Sequence, residues 1–424
     1  MSAKNTVAIL CGGGPAPGMN SVISAVTLAA RKNGWEVIGV IEGFSYLAKG
    51  EKNVVSLTSD MVSKIHLEGG SIINTARFNP TKNEDHLRNT INSLRELGVT
   101  HLVTIGGDDT AYSASTVAAY AKKNLGIDLK VVHVPKTIDN DLPLPEGVPT
   151  FGFETAREVG TRIVTNLLED ARTAQRWFFV IGMGRTAGHL SLGIGKSAAA
   201  TVTVIPEEFP EAKVKLGKLV DILAGSIIKQ LAEGKKFGLA VIAEGLIEKI
   251  PEEDLNTIDG LPLDEHGHIR YAEINFLELL KKATTKRLAE LGIKMTIVGK
   301  EVGYEVRCAP PIAYDIEYTR NLGFAAFHFL KNGGSDAIIT IAGNQVLPLS
   351  FDQMLDTVTK KTQVRMVNID SVQYRIAREY MTRLEEEDFD TAALGKLAKV
   401  TKLSPEEFAK QFKHVTEQAA TDSK

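Results

Sequence analysis

One short loop of this sequence combines a cation, a hydroxyl, two carboxylates and an amide. It reads Pro135-Lys136-Thr137-Ile138-Asp139-Asn140-Asp141 and directly follows an apolar run, Val131–Val134, that is typical of a buried strand. Because ligands of open α/β sheets bind beyond the carboxyl ends of strands, this loop is placed to meet a substrate. One carboxylate could take a proton from a hydroxyl nucleophile while the lysine faces an anionic group. The alternative is a capped turn, since Thr, Asp and Asn are ordinary loop residues.

Two glycine clusters follow other apolar runs. The segment Gly12–Asn20 comes after Thr6–Cys11 and before residues that recur at helical spacing, and Gly106-Gly107-Asp108-Asp109 comes after the run His101–Ile105. Glycines at a strand end let backbone N–H groups approach an anion at a helix N-terminus. A carboxylate beside them can hold Mg²⁺ against phosphate oxygens. The alternative for each cluster is a tight connection without a ligand.

Other motifs point elsewhere and are weaker. A nucleotide P-loop around Gly195-Lys196-Ser197 is excluded because Leu190 occupies the position of its first glycine. Gly182–Ala187 matches the dinucleotide fingerprint, but the acidic residues at the next strand end, Glu207 and Glu208, come a little late. A dinucleotide-binding oxidoreductase or sensor is therefore a remote alternative, and it leaves Thr137–Asp141 unexplained. The nine histidines show no zinc-ligand spacing.

The elements that would carry these loops alternate between apolar runs and helical-length segments. Such a pattern predicts parallel sheets with helices on both faces. The runs predicted as strands are Thr6–Cys11, Glu36–Ile41, His101–Ile105, Val131–Val134, Trp177–Ile181, Thr201–Ile205, Gly238–Ala243, Met295–Val298 and Ala337–Ile341.

The predicted fold class is α/β, with two Rossmann-like three-layer α/β/α domains, parallel-rich sheets and an active site in the cleft between them. A proline-rich stretch at 142–149 and the return of the chain near residue 307 set the bounds. The phosphoryl-donor domain comprises 1–142 with about 307–356. The sugar-phosphate domain comprises 143–306 with about 357–415 and includes a helical C-terminal tail.

Composition limits the partners. The 424 residues carry 49 basic and 52 acidic side chains, for a net charge of −3, which argues against a nucleic-acid or membrane footprint. The N-terminus shows no signal peptide or spanning segment. Two cysteines, Cys11 and Cys308, suit a reducing compartment, so we expect a cytoplasmic protein.

Taken together, these motifs resemble those of the phosphofructokinase family and occur in the family's order. The resemblance spans roughly residues 6 to 325, and the Thr-Ile-Asp-Asn-Asp run is highly specific. The matching segments are Gly13-Gly14, Ala16–Asn20, Ala76-Arg77-Phe78, Gly106-Gly107-Asp108, Thr137–Asp141, Arg176, Met183-Gly184-Arg185, Glu244-Gly245 and Gly303–Arg307.

Two positions are similar to the pyrophosphate-dependent branch of that family. ATP-dependent members usually carry glycine where this chain has Asp109, and bacterial ones usually carry glycine in place of Lys136. A carboxylate at 109 would repel the α-phosphate of ATP by roughly 4 kcal/mol at about 4 Å and an effective dielectric of about 20. The branch implies reversible transfer from pyrophosphate to fructose 6-phosphate, giving fructose 1,6-bisphosphate and phosphate. An ATP-dependent 6-phosphofructokinase is the alternative.

The resemblance also implies roles on the catalytic and donor side. Asp139 would be the general base that draws the proton from the sugar 1-hydroxyl, and Asp108 would help to hold Mg²⁺. Catalysis of this kind depends mostly on positioning and electrostatics. The residues that would steady phosphoryl charge, contact the donor or orient the reacting groups are Gly13, Gly14, Arg77, Asp109, Lys136, Thr137 and Asp141.

On the sugar side, the resemblance implies that Arg176 and Arg307 clamp the 6-phosphate. Arg176 would come from a neighbouring subunit, so a homodimer or homotetramer is expected. The residues that would contact the rest of the sugar are Thr137, Met183, Gly184, Arg185, Glu244 and Tyr304. Two positions depart from bacterial ATP-dependent enzymes, which carry a histidine at Tyr304 and an arginine at Val298. The alternatives are a turn or N-cap role for Glu244 and surface salt bridges for the two arginines.

Overall fold

The structure is a computed structural model that describes residues 5–255, 271, 274–355 and 362–416. Its strands are β1 (Thr6–Cys11), β2 (Glu36–Val40), β3 (Val54–Ser56), β4 (His101–Gly106), β5 (Lys130–Pro135), β6 (Trp177–Gly182), β7 (Val202–Val204), β8 (Gly238–Ala243), β9 (Ile297–Val302), β10 (Ala337–Ala342) and β11 (Gln345–Ser350). Its helices are α1 (Met19–Lys32), α2 (Ser59–Val62), α3 (Glu84–Glu96), α4 (Asp108–Leu125), α5 (Phe153–Ala174), α6 (His189–Ser197), α7 (Leu216–Ala232), α8 (Glu252–Leu255), α9 (Phe276–Glu290), α10 (Tyr304–Arg307), α11 (Ala313–Lys331), α12 (Val372–Glu379), α13 (Thr391–Val400) and α14 (Pro405–Phe412).

The chain forms two compact units. The first comprises Met1–Ala156 with Tyr304–Arg365, and the second comprises Arg157–Gly303 with Met366–Lys424. The chain passes from the first unit to the second within α5. The predicted bounds lie at 142/143, about 306/307 and about 356/357, and residue 357 is outside the described residues. The donor and sugar roles given to these segments stay a prediction.

The first unit is built on a seven-stranded sheet in the order β11-β10-β5-β4-β1-β2-β3. Its five central strands are parallel, and the two edge strands are antiparallel to their neighbours. Every residue from Val7 to Cys11 is fully buried, as expected for a parallel strand covered on both faces. Helix α1 packs against α11, and α3 packs against α4. This sheet places the ends of β1, β4 and β5 side by side.

The second unit contains a four-stranded parallel sheet in the order β7-β8-β6-β9. Strands β6 and β8 are buried along their whole length. The C-terminal helices belong to the same core, because α13 packs on α7 and the rings of Phe408 and Phe412 are fully buried. The helical C-terminal segment is therefore an integral part of this unit's core.

The predicted fold class, two α/β domains with parallel-rich sheets, is confirmed, and each of the nine predicted strands is present. The last strand of the second sheet runs Ile297–Val302 rather than 295–298, because it pairs with all six residues of β6 through polar Lys300 and Glu301. The antiparallel edge strands β3 and β11 were not predicted. The short β3 and the exposed β11 lack the buried apolar run on which the prediction depended.

Candidate active site

The first unit brings three of the predicted motifs together. Strands β4 and β1 are neighbours, β5 lies on the other side of β4, and all three point the same way. The loops that follow them are tied to each other by main-chain hydrogen bonds. Gly12 N–H donates to Ile105 O at 2.9 Å, and Lys136 N–H donates to Gly106 O at 2.7 Å. The glycine loop, the Gly-Gly-Asp turn and the Lys136–Asp141 loop therefore share one edge of the sheet, where ligands of such sheets bind.

The glycine loop lies beside two cationic side chains. Gly13 has φ 80°, a left-handed conformation that favours glycine, and its N–H donates to Ala76 O at 3.0 Å. Lys136 Nζ donates to Gly14 O. A Cβ added at Gly14 would lie 3.4 Å from the Arg307 guanidinium, and one at Gly13 would lie 3.5 Å from Lys136 Nζ. Glycines without side chains and adjacent cations make this loop suited to a phosphate-type anion.

Asp108 and Asp109 form the first turn of α4, which begins directly after Gly107. Asp108 is half-buried and Asp109 is exposed. The N-terminus of a helix carries a partial positive charge, which stabilises carboxylates placed there. Thr110, in the same turn, fits against both glycine segments, since a Cβ at Gly12 or Gly106 would lie 2.3 Å from its Oγ1. Thr110 therefore packs the first turn of α4 against the two glycine segments.

The Lys136–Asp141 loop is buried and internally bonded. Lys136, Thr137, Asp139 and Asp141 are each less than 10% exposed, at 5%, 9%, 7% and 6%. Thr137 Oγ1 accepts the N–H of Asp139 at 3.0 Å, and Thr150 Oγ1 donates to Thr137 O at 2.7 Å. These bonds fix the backbone on the N-terminal side of Asp139. The loop therefore holds the backbone that carries the Asp139 carboxylate, and a carboxylate fixed in place is what a general base requires.

His133, in the middle of β5, was not predicted as a site residue. Its ring is fully buried, with Nδ1 2.8 Å from Thr104 Oγ1 and Nε2 2.9 Å from Gly106 O. Burial lowers the pKa of His133 from 6.5 to about 3, although the bond to the Gly106 carbonyl partly opposes this shift. The neutral imidazole thus supports the first glycine of the Gly-Gly-Asp turn. The sequence did not indicate that His133 supports Gly106, because one polar residue within an apolar strand has no recognisable pattern.

The stability of the protein is expected to fall as the pH decreases below about 6.5 because of His133. In the unfolded chain the imidazole titrates at about 6.5, whereas in the fold its pKa is about 3. Between these pH values only the unfolded state binds the proton, so the free energy of unfolding falls by about 1.4 kcal/mol for each pH unit. Above pH 6.5 the contribution of His133 to the free energy of unfolding does not change with pH. Urea unfolding of H133Q at pH 7.5, 6.5 and 5.5 should show a shallower loss than the wild type. The pKa of His101 is also lowered by burial, but His101 is present in both proteins and contributes equally to their pH dependence. An equal loss of stability per pH unit in H133Q and the wild type would therefore contradict the role of His133.

A distant arginine also reaches the Lys136–Asp141 loop. Arg365 Nε donates to Asn140 O at 3.0 Å, its Nη2 donates to Asn140 Oδ1, and its Nη1 donates to Val148 O at 2.8 Å. Its main-chain N–H donates to Asp141 O at 2.7 Å. The sequence offered no signal for this residue, because a basic residue 224 positions after the loop belongs to no recognisable motif.

Two other predicted site residues lie near the glycine loop. Arg77 is exposed and directly follows Ala76, which pairs with Gly12 in an isolated bridge. Tyr304 is 79% exposed, and the Arg307 guanidinium lies 5.3 Å from the centre of its ring. Both Tyr304 and Arg307 belong to the short helix α10 of the first unit. Arg307 therefore lies beside predicted donor residues, although the resemblance assigned it to the sugar phosphate.

In the second unit, Met183, Gly184 and Arg185 follow β6, and Glu244 follows the adjacent strand β8. Glu244 Oε1 accepts N–H groups from Gly184 at 3.0 Å and from Arg185 at 2.7 Å. Arg185 has φ 53°, a strained conformation for a residue with a side chain, and it is exposed. Glu244 thus holds the loop of Gly184 and Arg185 in place, and its role toward the sugar stays a prediction.

Arg176 lies at the other end of β6. It precedes Trp177, whereas Met183 follows Gly182, so the six residues of the strand, roughly 20 Å of extended chain, separate them. Its guanidinium bonds Asp170 on α5, with Nε and Oδ1 2.8 Å apart. A single chain therefore does not bring Arg176 to the loop of Met183 and Arg185.

The residues that the structure describes show neither a ready-made metal cluster nor a membrane-spanning helix. Within the described ranges, no three His, Cys, Asp or Glu side chains converge closely enough to hold a metal ion by themselves. In the same part of the chain, no helix combines the length and the apolar character needed to cross a membrane.

The sequence matches the family described as phosphofructokinase over residues 6–330. A relative from Thermotoga maritima, named pyrophosphate–fructose 6-phosphate 1-phosphotransferase, is 52% identical over 416 residues, which cover 96% of this chain and 98% of the relative. A relative of the same name from Naegleria fowleri is 48% identical over 423 residues, covering 97% and 96%. The chain therefore spans nearly the full length of both relatives.

Solved structures give the same fold. A pyrophosphate-dependent phosphofructokinase from Nitrosospira multiformis superposes with a TM-score of 0.67 and covers 89% of this chain and 91% of its own. The two sequences are 18% identical, so this likeness speaks for the fold alone.

Proposed function

The chain belongs to the phosphofructokinase family, and on that premise we propose that it transfers a phosphoryl group reversibly from pyrophosphate to fructose 6-phosphate. The products are fructose 1,6-bisphosphate and phosphate. Donor and product are close in phosphoryl potential, so the same site would serve glycolysis and gluconeogenesis. The observation that carries the proposal is the presence of both Asp109, in the first turn of α4 after β4, and Lys136, directly after the adjacent strand β5, in a chain about half identical to relatives named for this reaction.

The donor side supports pyrophosphate. Lys136 Nζ bonds the Gly14 carbonyl, so its ammonium lies beside the glycine loop, where a phosphate-type anion would bind. Asp109 stands exposed at the first turn of α4. A carboxylate there would repel the α-phosphate of ATP. Pyrophosphate is smaller, so the Asp109 carboxylate would stay in contact with water when pyrophosphate binds.

The chemistry assigned to the catalytic loop is proton removal from the nucleophile. The Asp139 carboxylate would take the proton of the sugar 1-hydroxyl while the hydroxyl oxygen attacks one phosphorus atom of pyrophosphate. The bond between this phosphorus and the bridging oxygen would break, and phosphate would leave. Thr137 and Asp141 would orient the groups. Arg77, Lys136 and the Gly13-Gly14 backbone would stabilise charge that grows on the transferred group and on the leaving phosphate.

Mg²⁺ is the cofactor that fits these residues. Such an ion is usually held by one or two carboxylates together with substrate phosphates, so a cluster of three protein ligands is not required. Asp108, half-buried in the first turn of α4, is a hard oxygen ligand on the same sheet edge as the glycine loop. When bound, the metal would neutralise phosphate charge. Asp108 would hold it.

On the sugar side, Arg307 would bind the 6-phosphate with Arg176 of a neighbouring subunit. The position of Arg176 at the far end of β6 supports this assignment, because its own chain keeps it away from Met183. The protein would then be a homodimer or homotetramer acting in the cytoplasm. The remaining sugar contacts would be made by Thr137, Met183, Gly184, Arg185, Glu244 and Tyr304.

An assay with fructose 6-phosphate and Mg²⁺ tests the donor, with pyrophosphate and ATP compared at equal concentrations for the wild type and D109G. Pyrophosphate should be strongly preferred by the wild type, and D109G should use ATP about 10- to 100-fold better, because an exposed carboxylate repels less than the bare Coulomb figure. D128G, which removes an exposed carboxylate elsewhere, is the control. A wild type that prefers ATP, or a D109G protein without any gain, would contradict the donor assignment, and activity with neither donor would contradict the function.

A further inference from the structure

The guanidinium of Arg365 occupies a junction between two loops of the first unit. Its three nitrogen atoms donate to three oxygen acceptors, two of them on Asn140 and one on Val148. Arginine suits such a junction, because its donors form a rigid planar fork that a lysine ammonium cannot reproduce. Burial lowers the pKa of Arg365, and the nearby Asp141 carboxylate partly opposes this shift. The side chain remains a cation at neutral pH.

Asn140 needs this support because of its backbone. Its φ of 57° lies in the left-handed region, which asparagine tolerates better than most residues but which still costs free energy. Arg365 binds both its main-chain oxygen and its side-chain oxygen, and Thr150 N–H donates to the same Oδ1 at 3.0 Å. The strained residue is thereby held in one conformation from two sides.

Asp139 lies between this junction and a second one. On its N-terminal side, Thr137 is fixed through its main-chain oxygen by Thr150 Oγ1 and through its own Oγ1 by the N–H of Asp139. On its C-terminal side, Asn140 and Asp141 are both bonded to Arg365. The backbone on both sides of Asp139 is therefore held by side chains, and the one on the C-terminal side, Arg365, lies more than 220 residues further along the chain.

We propose that Arg365 is a positioning residue that aims the Asp139 carboxylate at the nucleophile by locking the strained backbone of Asn140. The inference rests on the proposed function of Asp139 as the base. Arg365 contacts no reacting atom in this assignment. Its loss therefore misaligns the proton transfer while substrate binding continues, and a displacement of about 1 Å at such a site lowers the rate about 100-fold.

The test compares wild type, R365Q, R365K and the control R88Q, which removes an exposed arginine from α3 of the same unit. For R365Q, kcat should fall about 100-fold while the KM values for pyrophosphate and fructose 6-phosphate change less than about twofold. R365K should recover part of kcat, since an ammonium can satisfy some but not all of the acceptors. Amide hydrogen exchange of the free proteins should accelerate in R365Q over residues 137–150 and at residue 365, whose N–H donates to Asp141 O, while the other segments stay unchanged.

Three results would overturn the proposal: raised KM values with an unchanged kcat, unchanged exchange over 137–150, or faster exchange throughout the protein with a general loss of thermal stability. The last result would mean that Arg365 only supports the fold. If the wild type turns over neither pyrophosphate nor ATP, the proposed function fails by itself. The exchange measurement then still decides whether Arg365 locks the loop.

Discussion

Replacement of Asp139 by asparagine is expected to lower kcat by about 10³- to 10⁴-fold in both directions of the reaction. The change removes the proton acceptor and keeps the shape of the side chain, and loss of a general base has effects of this size. The loop should stay intact, because its fixing bonds use the main-chain N–H of Asp139 and the atoms of Thr137 and Thr150. Steady-state kinetics with each substrate varied in turn would show a fall in kcat and nearly constant KM values.

The matched control for this experiment is D60N, which changes an exposed aspartate in the first turn of α2. It should leave kcat unaltered. A loss smaller than about tenfold in D139N would mean that another group takes the proton, and Asp141, equally buried two residues later, is the first to examine by D141N.

Replacement of Lys136 by methionine is expected to lower turnover with pyrophosphate by about 10²- to 10³-fold. Methionine keeps an unbranched side chain and removes the ammonium that stands 3.5 Å from the position of a Gly13 Cβ and bonds the Gly14 carbonyl. A preorganised cation aimed at growing negative charge contributes this much to catalysis. Rates measured with saturating pyrophosphate and fructose 6-phosphate would separate the loss in kcat from weaker donor binding.

The control for Lys136 lies in the same strand. Lys130 begins β5 at the opposite end of the sheet and pairs with the exposed Asp128, so K130M should retain full activity. A K136M protein that keeps wild-type kcat would show that the lysine serves the fold of the glycine loop rather than the donor, and its thermal stability would then be the property that falls.

The buried parallel strands were predictable because each is a short, continuous apolar run, as for Val7–Cys11 and Trp177–Ile181. The edges were not, since β11 is exposed and paired on one side only. A signal for β11 does exist in Gly343-Asn344, where φ values of 53° and 65° form a two-residue hairpin turn between β10 and β11. Edge strands are thus better found from turn chemistry than from hydrophobicity.

In the candidate site, the groups that are proposed to touch substrate were predictable because they lie in compact motifs at strand ends. The groups that hold them were not. Arg365 and His133 act through hydrogen bonds to main-chain atoms, and any residue type can supply a main-chain acceptor. Only the folded chain shows which backbone oxygens a distant side chain reaches. Glu244 illustrates the same limit, since its bonds to two N–H groups become visible only with the loop of Arg185 in place.

The exposure of Asp109 has a consequence for how a donor preference could change during evolution. The residue stands on the surface at the start of α4, and Asp108 remains in the same turn to interact with the helix N-terminus. Its loss would therefore cost the fold only about 0.3–1 kcal/mol. Aspartate and glycine codons differ by one base. A single base change could thus alter the phosphoryl donor that the protein uses while its core stays unchanged. Selection could then act directly on this change, according to whether pyrophosphate or ATP is the more abundant donor in the cell.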